Sequence, residues 1–462
     1  MNVTEWPESR AGLSSTGTLP PVTANPPDVA PGAVTYRRIA LAYLPLAFSW
    51  IFMALEGPVS MTLLGLTPQQ KLDAASFLVL FGLAIWIESP VIDLLSTSTT
   101  WGTNRQRWEV IWRFTGLTML FVTVVHGLVA FSPLYDLIMR GVLNVSPEVA
   151  ENGRVPFQIM TCWSACVGWR RSSQGLMIRQ GQPGLIGWGT LVRAATMVLV
   201  ATPLITWAKL PGLVGVAWGL LASVFAEAAF IHFVSRPVRM GLPESHGEEI
   251  LTLRRVFSFH APLTASTMIM LSSPVLVTRA IAQTAEPVTQ LAAWQVASSV
   301  VWLFRTLSFA LPETVISLYA PGETQRRLFR FCLGIGLGLS ILMAVTGFFR
   351  LESGLYTQLY NAQAELVPLA ELAFAWCITM PLINSLMSYY RALLTAHHVT
   401  WARMTAIVVS VVVLFALVAW LPGTGMKGVV VAALALTLAQ AVELLALWIS
   451  WLRVARRQAV AA

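Results

Sequence analysis

The stretch Phe52-Met-Ala-Leu-Glu-Gly-Pro-Val-Ser60, FMALEGPVS, sets a glutamate two residues before a proline inside a long apolar run. Ile85-Trp-Ile-Glu-Ser-Pro-Val-Ile-Asp93 repeats the pattern. Carboxylates this isolated have meaning only against the solvent of the surrounding segment, and the composition identifies that solvent. Of 462 residues 56% are apolar and 11% charged, and the mean hydropathy is +0.68, whereas soluble domains carry about 25% charged residues. A hydrocarbon core of about 30 Å takes roughly 20 apolar residues per helix, and a spanning segment must satisfy its own backbone hydrogen bonds. The chain therefore reads as an all-α polytopic membrane protein. Twelve transmembrane helices are expected, near residues 39–64, 74–96, 111–132, 156–178, 184–206, 212–235, 257–282, 290–318, 329–348, 366–390, 402–421 and 427–452.

Residues 1–35 carry Pro7, Pro20, Pro21, Pro26, Pro27 and Pro31 among Ser, Thr and Gly, a composition that builds no core and is expected to be a disordered cytoplasmic tail. It lacks the basic, apolar and small-residue succession of a signal peptide, so the first span is expected to direct insertion. With the amino terminus inside, twenty basic residues fall on the inner side, Arg37, Arg105, Arg170, Arg171, Arg255, Arg391 and Arg403 among them. Seven fall outside: Lys71, Arg140, Arg154, Lys209, Arg279, Arg350 and Lys427. The positive-inside rule then places both termini in the cytoplasm, in a plasma (inner) membrane. The isoelectric point near 9.7 follows from this inner belt and calls for no nucleic-acid partner; the belt suits anionic membrane lipids.

Several features read as structure. Cys162, Cys166, Cys332 and Cys377 all fall inside spans and pack as small apolar groups; no further ligands accompany them, so no metal is expected. Gly334 and Gly338, four apart in a span, read as a close helix contact. His126 has no catalytic partner, and no P-loop appears, so neither an enzyme nor an ATP-hydrolysing pump is expected and no cofactor is implied.

The chain repeats itself. RIALAYLPLAFSWIFMALEGP from Arg38 aligns with RVFSFHAPLTASTMIMLSSP from Arg255, pairing Pro45 with Pro262 and, after a one-residue gap, Pro58 with Pro274. LPGLVGVAWGLLASVFAEA from Leu210 aligns with LPGTGMKGVVVAALALTLAQA from Leu421, which puts Glu227 opposite Gln440. Two six-helix halves in the same orientation follow, at 36–235 and 256–457 with a polar cytoplasmic linker at 236–255; parallel repeats of this kind are related by an axis along the membrane normal and keep a transporter's site at their interface. The loop TTWGTNRQRWE is basic without the aspartate of the major facilitator pattern. In its proline-bent first and seventh helices and the Leu-Pro-Gly before helices six and twelve, residues 37–457 resemble the multidrug/oligosaccharidyl-lipid/polysaccharide (MOP) exporter superfamily. VVHGLVAFSPLYDLI (124–138), GLMIRQGQ (175–182) and PVID after Glu88 look like the progressive ankylosis protein family; the MATE multidrug exporters share the architecture. The resemblance implies a MATE-like fold with a central cleft, lined by helices one, two, seven and eight. Export of an anionic metabolite of the pyrophosphate, nucleotide or citrate type would follow, with a MATE-type cation antiporter coupled to H+ or Na+ as the alternative. A flippase for a lipid-linked substrate is the third reading, and a monomer is expected.

A charge near the bilayer centre costs at least a few kcal/mol, so ionisable residues in spans mark pathways. Glu56, Glu88, Asp93, Arg193, Glu227, Arg305, Glu313 and Glu443 are the candidates. A proline deprives the carbonyl four residues earlier of its donor, so Pro58 frees Ala54 and Pro90 frees Trp86; carboxylate plus bare carbonyl is a proton or hard-cation site, and the kink is a hinge. Glu56, Glu88 and Glu313 are expected to couple the ion, with Glu56 and Glu88 also available to cargo. Arg305, mid-helix, offers a planar fork to carboxylate or phosphate. Arg193 and Glu227 are expected to pair within the first half.

Overall fold

The structure is a computed structural model and describes residues 34–180, 182, 185–244, 250–397 and 399–461; all but the last two residues of the expected disordered tail lie outside the described residues. The first half holds α1 (Tyr36–Ala54), α2 (Glu56–Leu64), α3 (Gln70–Ile92), α4 (Leu94–Trp101), α5 (Arg105–Phe131), α6 (Leu134–Asp136), α7 (Pro147–Ile159), α8 (Trp163–Arg179), α9 (Ile186–Thr206) and α10 (Gly212–Val234). After the short α11 (Arg236–Met240), the second half holds α12 (Leu253–Ala282), α13 (Pro287–Thr306), α14 (Leu311–Leu318), α15 (Glu323–Phe348), α16 (Leu351–Gly354), α17 (Val367–Trp376), α18 (Met380–Ala396), α19 (Thr400–Trp420) and α20 (Gly428–Ala461). Among the described residues ten helical stretches are long and apolar enough to cross a membrane. Two of the twelve expected spans fall short of that measure. The first is cut at Leu55 into α1 and α2, and the fourth is cut by the tight turn Met160–Cys162 and carries Arg170, Arg171 and Arg179. Cys162 sits in that turn and is exposed, apart from buried Cys166.

Small residues set the helix spacing. A Cβ on Gly219 of α10 would meet that of Ala201 on α9 at 2.8 Å, so the two helices pack backbone to backbone as membrane interfaces do. In α15 the residue that does this is Gly336, whose Cβ would press on Ser385 at 2.8 Å; the expected pair Gly334 and Gly338 faces nothing within 4 Å.

The two halves share a register finer than their sequences advertise. Thr67, Asp73 and Gly212 converge where α3 meets the start of α10, and Thr284, Gln290 and Gly428 converge at the same place on α13 and α20. The turns after α6 and α16 each end on a left-handed asparagine, Asn144 at φ 56° and Asn361 at φ 48°, a conformation asparagine tolerates better than most residues with a side chain. In this register Glu227 lies opposite Glu443 and not Gln440. The second Leu-Pro-Gly belongs to the turn Leu421–Thr424, and α20 starts only at Gly428.

Each half lends its first helix to the other. Tyr43 of α1 donates to Leu307 O at 3.0 Å, and Ile39, Tyr43 and Ala47 pack among Leu311, Val315 and Met387. On α12, His260 donates from Nε2 to Pro90 O at 2.7 Å, and its Nδ1 shares a hydrogen bond with Thr97 at 2.8 Å. At the opposite end the halves are sewn together. Gln70 donates to Tyr360 O at 2.5 Å and accepts from Gln363 N at 3.0 Å, Asn361 donates to Gly65 O at 2.9 Å, and Lys71 meets Glu365 at 2.7 Å. A side chain at Gly65 would run into Tyr360 O, so this approach requires glycine.

Candidate functional site

Charged side chains inside the spans gather in two places. In the first half Arg193 of α9 donates to Glu56 at 2.5 Å, just past the break between α1 and α2, and lies 3.8 Å from Glu227 on α10. The tighter partner of Glu227 is Arg170 of α8 at 2.5 Å, with both side chains buried. Arg170, counted by sequence among the inner belt, is thus inside the protein: α8 runs beside α10 at Glu227, and a buried carboxylate needs a cation more than the bilayer surface does. Arg171 and Glu88 complete the group within Coulombic reach of the others. Three guanidiniums face three carboxylates.

The cluster balances in charge but not in hydrogen bonds. Glu56 Oε1, Glu88 Oε2, Glu227 Oε1, Arg170 Nε and Arg171 Nε are buried without a partner among the described residues. Buried polar atoms carry such deficits rarely, and a deficit in a native site calls for water, an ion or a ligand. Beside Glu56, Arg193 and Thr190 lies a cavity of about 20 Å³, enough for one water molecule or a small cation.

The prolines behave differently from the bare-carbonyl expectation. Ser89 donates to Trp86 O at 2.8 Å, so the carbonyl that Pro90 frees is already satisfied, and Pro90's own carbonyl is taken by His260 of the other half. The helix runs on through Pro90 to Ile92 before breaking at Asp93. Pro58 lies in the first turn of α2, just after the break at Leu55. His260, Arg170 and Gln70 are contacts that sequence reasoning passed over; for His260 the available signal was a histidine two residues before Pro262 inside a span.

In the second half Arg391 of α18 pairs with Glu443 of α20 through Nε at 3.0 Å and through Nη2. Arg403 donates to Thr395 at 2.7 Å, with Glu443 and Glu313 near it. Glu313 is exposed on α14 and joins neither Glu56 nor Glu88. Arg305, on α13 at the place Glu88 takes on α3, stands apart. Its guanidinium lies over the Trp302 ring at 5.7 Å, its Nε is buried without an acceptor, and among the described residues no carboxylate pairs with it. A cation stacked on an aromatic ring with no carboxylate partner among the described residues has donors that a planar anion could use.

No protein-family model and no curated protein matches the chain. Solved structures do. The lipid II flippase MurJ in an inward closed conformation aligns at TM-score 0.68 and 12% identity over 88% of this chain and 87% of that one. An inward-facing multidrug resistance MATE family transporter of the MOP superfamily aligns at 0.64 and 13% over 88% and 98%. A MOP superfamily transporter from Pyrococcus furiosus, described as having a binding pocket of reverse polarity, aligns at 0.60 and 10% over 91% and 99%. At these identities the likeness is one of fold. The chain is an all-α, multi-pass membrane protein with the architecture of MOP-superfamily transporters.

Proposed function

We propose that the protein is a secondary transporter that carries a small anionic metabolite out of the cytoplasm by alternating access, without hydrolysing ATP. The carrying observation is Arg305, a mid-span guanidinium with no carboxylate partner among the described residues, in a protein where Arg170, Arg193 and Arg391 each face a glutamate. A buried charge without a partner costs several kcal/mol, which a bound anion offsets. The first-half cluster supplies the complementary function: Glu56 and Glu88, with orphaned oxygens and a water-sized cavity, serve as the proton or sodium site. Residues 36–235 and 256–457 are the two moving bodies, 236–255 links them, and Pro58 and Pro90 mark the bends about which they rock. The twelve-span count, both termini in the cytoplasm, and a monomer complete the reading. In this orientation the Gln70–Tyr360–Gln363 latch closes the outer end.

The test is flux in proteoliposomes. Wild type is expected to move citrate or pyrophosphate. Arg305→Lys keeps the charge and loses the fork, weakening anion transport by roughly tenfold or more; Arg305→Gln abolishes it in a folded protein. Ethidium flux in wild type without anion flux, preserved in Arg305→Gln, would sink the anion reading in favour of a cation antiporter.

A further inference from the structure

Where α15, α18 and α20 meet at the arginine-rich end of the second half lies an open pocket of about 630 Å³, within the range of small-ligand sites. Arg326 and Arg330 stand on successive turns at the start of α15, both exposed, and neither has an acceptor among the described residues. Like charges four residues apart in a helix repel, and the only acid in that turn, Glu323, is engaged by Arg327 at 3.3 Å. Opposite the arginines stand Tyr389 and Tyr390 of α18 and Trp448 and Trp451 of α20. Trp448 is 44% exposed on the outer surface of the bundle and Trp451 is buried.

The first half shows what this junction looks like when it is closed. There Trp112 and Trp169 pack on His232, with Trp108 against Trp112: Trp169 Nε1 donates to His232 Nδ1 at 3.1 Å, and Arg239 reaches His232 Nε2 at 3.2 Å. In the common register Glu109 stands where Arg326 does and forms an ion pair with Arg105. Arg113 holds the place of Arg330, so the first half sets one acid and one arginine where the second sets two arginines beside an open pocket.

We propose that this pocket binds the phosphate of an anionic phospholipid, held between Arg326 and Arg330, with the glycerol and upper acyl chains against Trp448 and Trp451. The chemistry is that of a phosphate ester. Paired basic residues at a span's end and amphipathic aromatic rings at headgroup depth are how membrane proteins recognise acidic lipids. The leaflet, the cytoplasmic one, rests on the orientation proposed above; the site is separate from Arg305 and the glutamates.

Native mass spectrometry of delipidated protein, titrated with phosphatidylglycerol or phosphatidylcholine, tests it. Wild type is expected to retain phosphatidylglycerol in preference to phosphatidylcholine. The double variant Arg326→Gln/Arg330→Gln should bind it roughly tenfold or more weakly with an unchanged melting temperature, and Arg326→Lys/Arg330→Lys should keep most of the binding. Millimolar inorganic phosphate should not displace the lipid. Equal retention by wild type and the Gln variant, or no preference between the lipids, overturns the site. Arginine-dependent binding of inorganic phosphate that does displace phosphatidylglycerol overturns the lipid as occupant and assigns the pocket to a soluble phosphate.

Discussion

The two halves of the chain keep one backbone and carry opposite chemistry on it. What the backbone requires is duplicated: Asn144 and Asn361 in left-handed turns, Gly212 and Gly428 against the neighbouring helix, Pro58 and Pro274 in the first and seventh spans. What the backbone does not require has diverged. Asp73 becomes Gln290, Glu88 becomes Arg305, and Glu109 becomes Arg326. The first half collects three arginines and three glutamates and neutralises them internally; in the second, Arg305 pairs with no carboxylate among the described residues. An approximate two-fold architecture thereby acquires two unlike sites, which the proposed function assigns to a proton or cation and to an anion.

The sharpest way to break this comparison is to remove one arginine from each half. Arg170→Met leaves Glu227 buried beside a single, more distant guanidinium and should cost about 3–5 kcal/mol, because breaking a buried pair strands its partner. Arg170→Met with Glu227→Leu should recover most of that loss. Arg305→Met strands nothing and should leave stability unchanged or raised. Unfolding in mixed micelles measures all three, and a large loss at Arg305 would reveal a resident partner and remove the basis of the anion site.

Next comes coupling. Glu88→Gln keeps the shape of the side chain and cannot cycle its charge, so gradient-driven flux should fall to background while exchange of labelled cargo persists; Glu56→Gln should do the same and also loosen Arg193. Both variants pumping at full rate would make the first-half cluster purely structural. The latch should matter less. Gln70→Ala removes two hydrogen bonds between the halves, each of about 1 kcal/mol, and should let an impermeant reagent reach Ser299→Cys, beneath Tyr360, roughly tenfold faster. Unchanged labelling would mean that this end is closed by other contacts.

The difference between the halves also explains what could be read from sequence. Prolines, glycines and long apolar runs report backbone needs, so most of the spans and the first-to-seventh repeat were legible, whereas the breaks fall at Leu55 and Asp93 beside Pro58 and Pro90. Glu56, Glu88 and Arg305 stood out because a charge surrounded by apolar residues is conspicuous. Arg170 and Arg171 did not, since arginines in a segment as polar as 163–182 look like a helix end; only the packing of α8 on α10 shows that they face Glu227. The second-repeat register at Glu443 was hidden by a turn that delays α20 past its Leu-Pro-Gly, and the serine that satisfies Trp86 O cannot be inferred from the proline that frees it.

The smallest effect lies at the rims beside the Gln70–Tyr360 contact, where the same short helix occurs twice and should respond to pH in opposite directions. On α6 Asp136 accepts two hydrogen bonds from Arg154 at 2.6 and 2.7 Å, which hold its carboxyl below the usual range. On α16 Glu352 is buried, with Oε2 unpartnered, and burial pushes its pKa up. A depressed folded pKa means that Asp136 contributes stability above the unfolded carboxyl value near 3.9 and loses it as pH falls through the lower folded value. A raised one means the reverse for Glu352: its full contribution is present below the unfolded value near 4.3 and is lost as pH rises through the folded pKa. Asp136→Asn should therefore lower the melting temperature slightly at neutral pH and approach wild type in acid. Glu352→Gln should match wild type in acid and become the more stable protein as pH rises. Parallel pH profiles for the two variants would show that the rims, unlike the spans they cap, have not diverged.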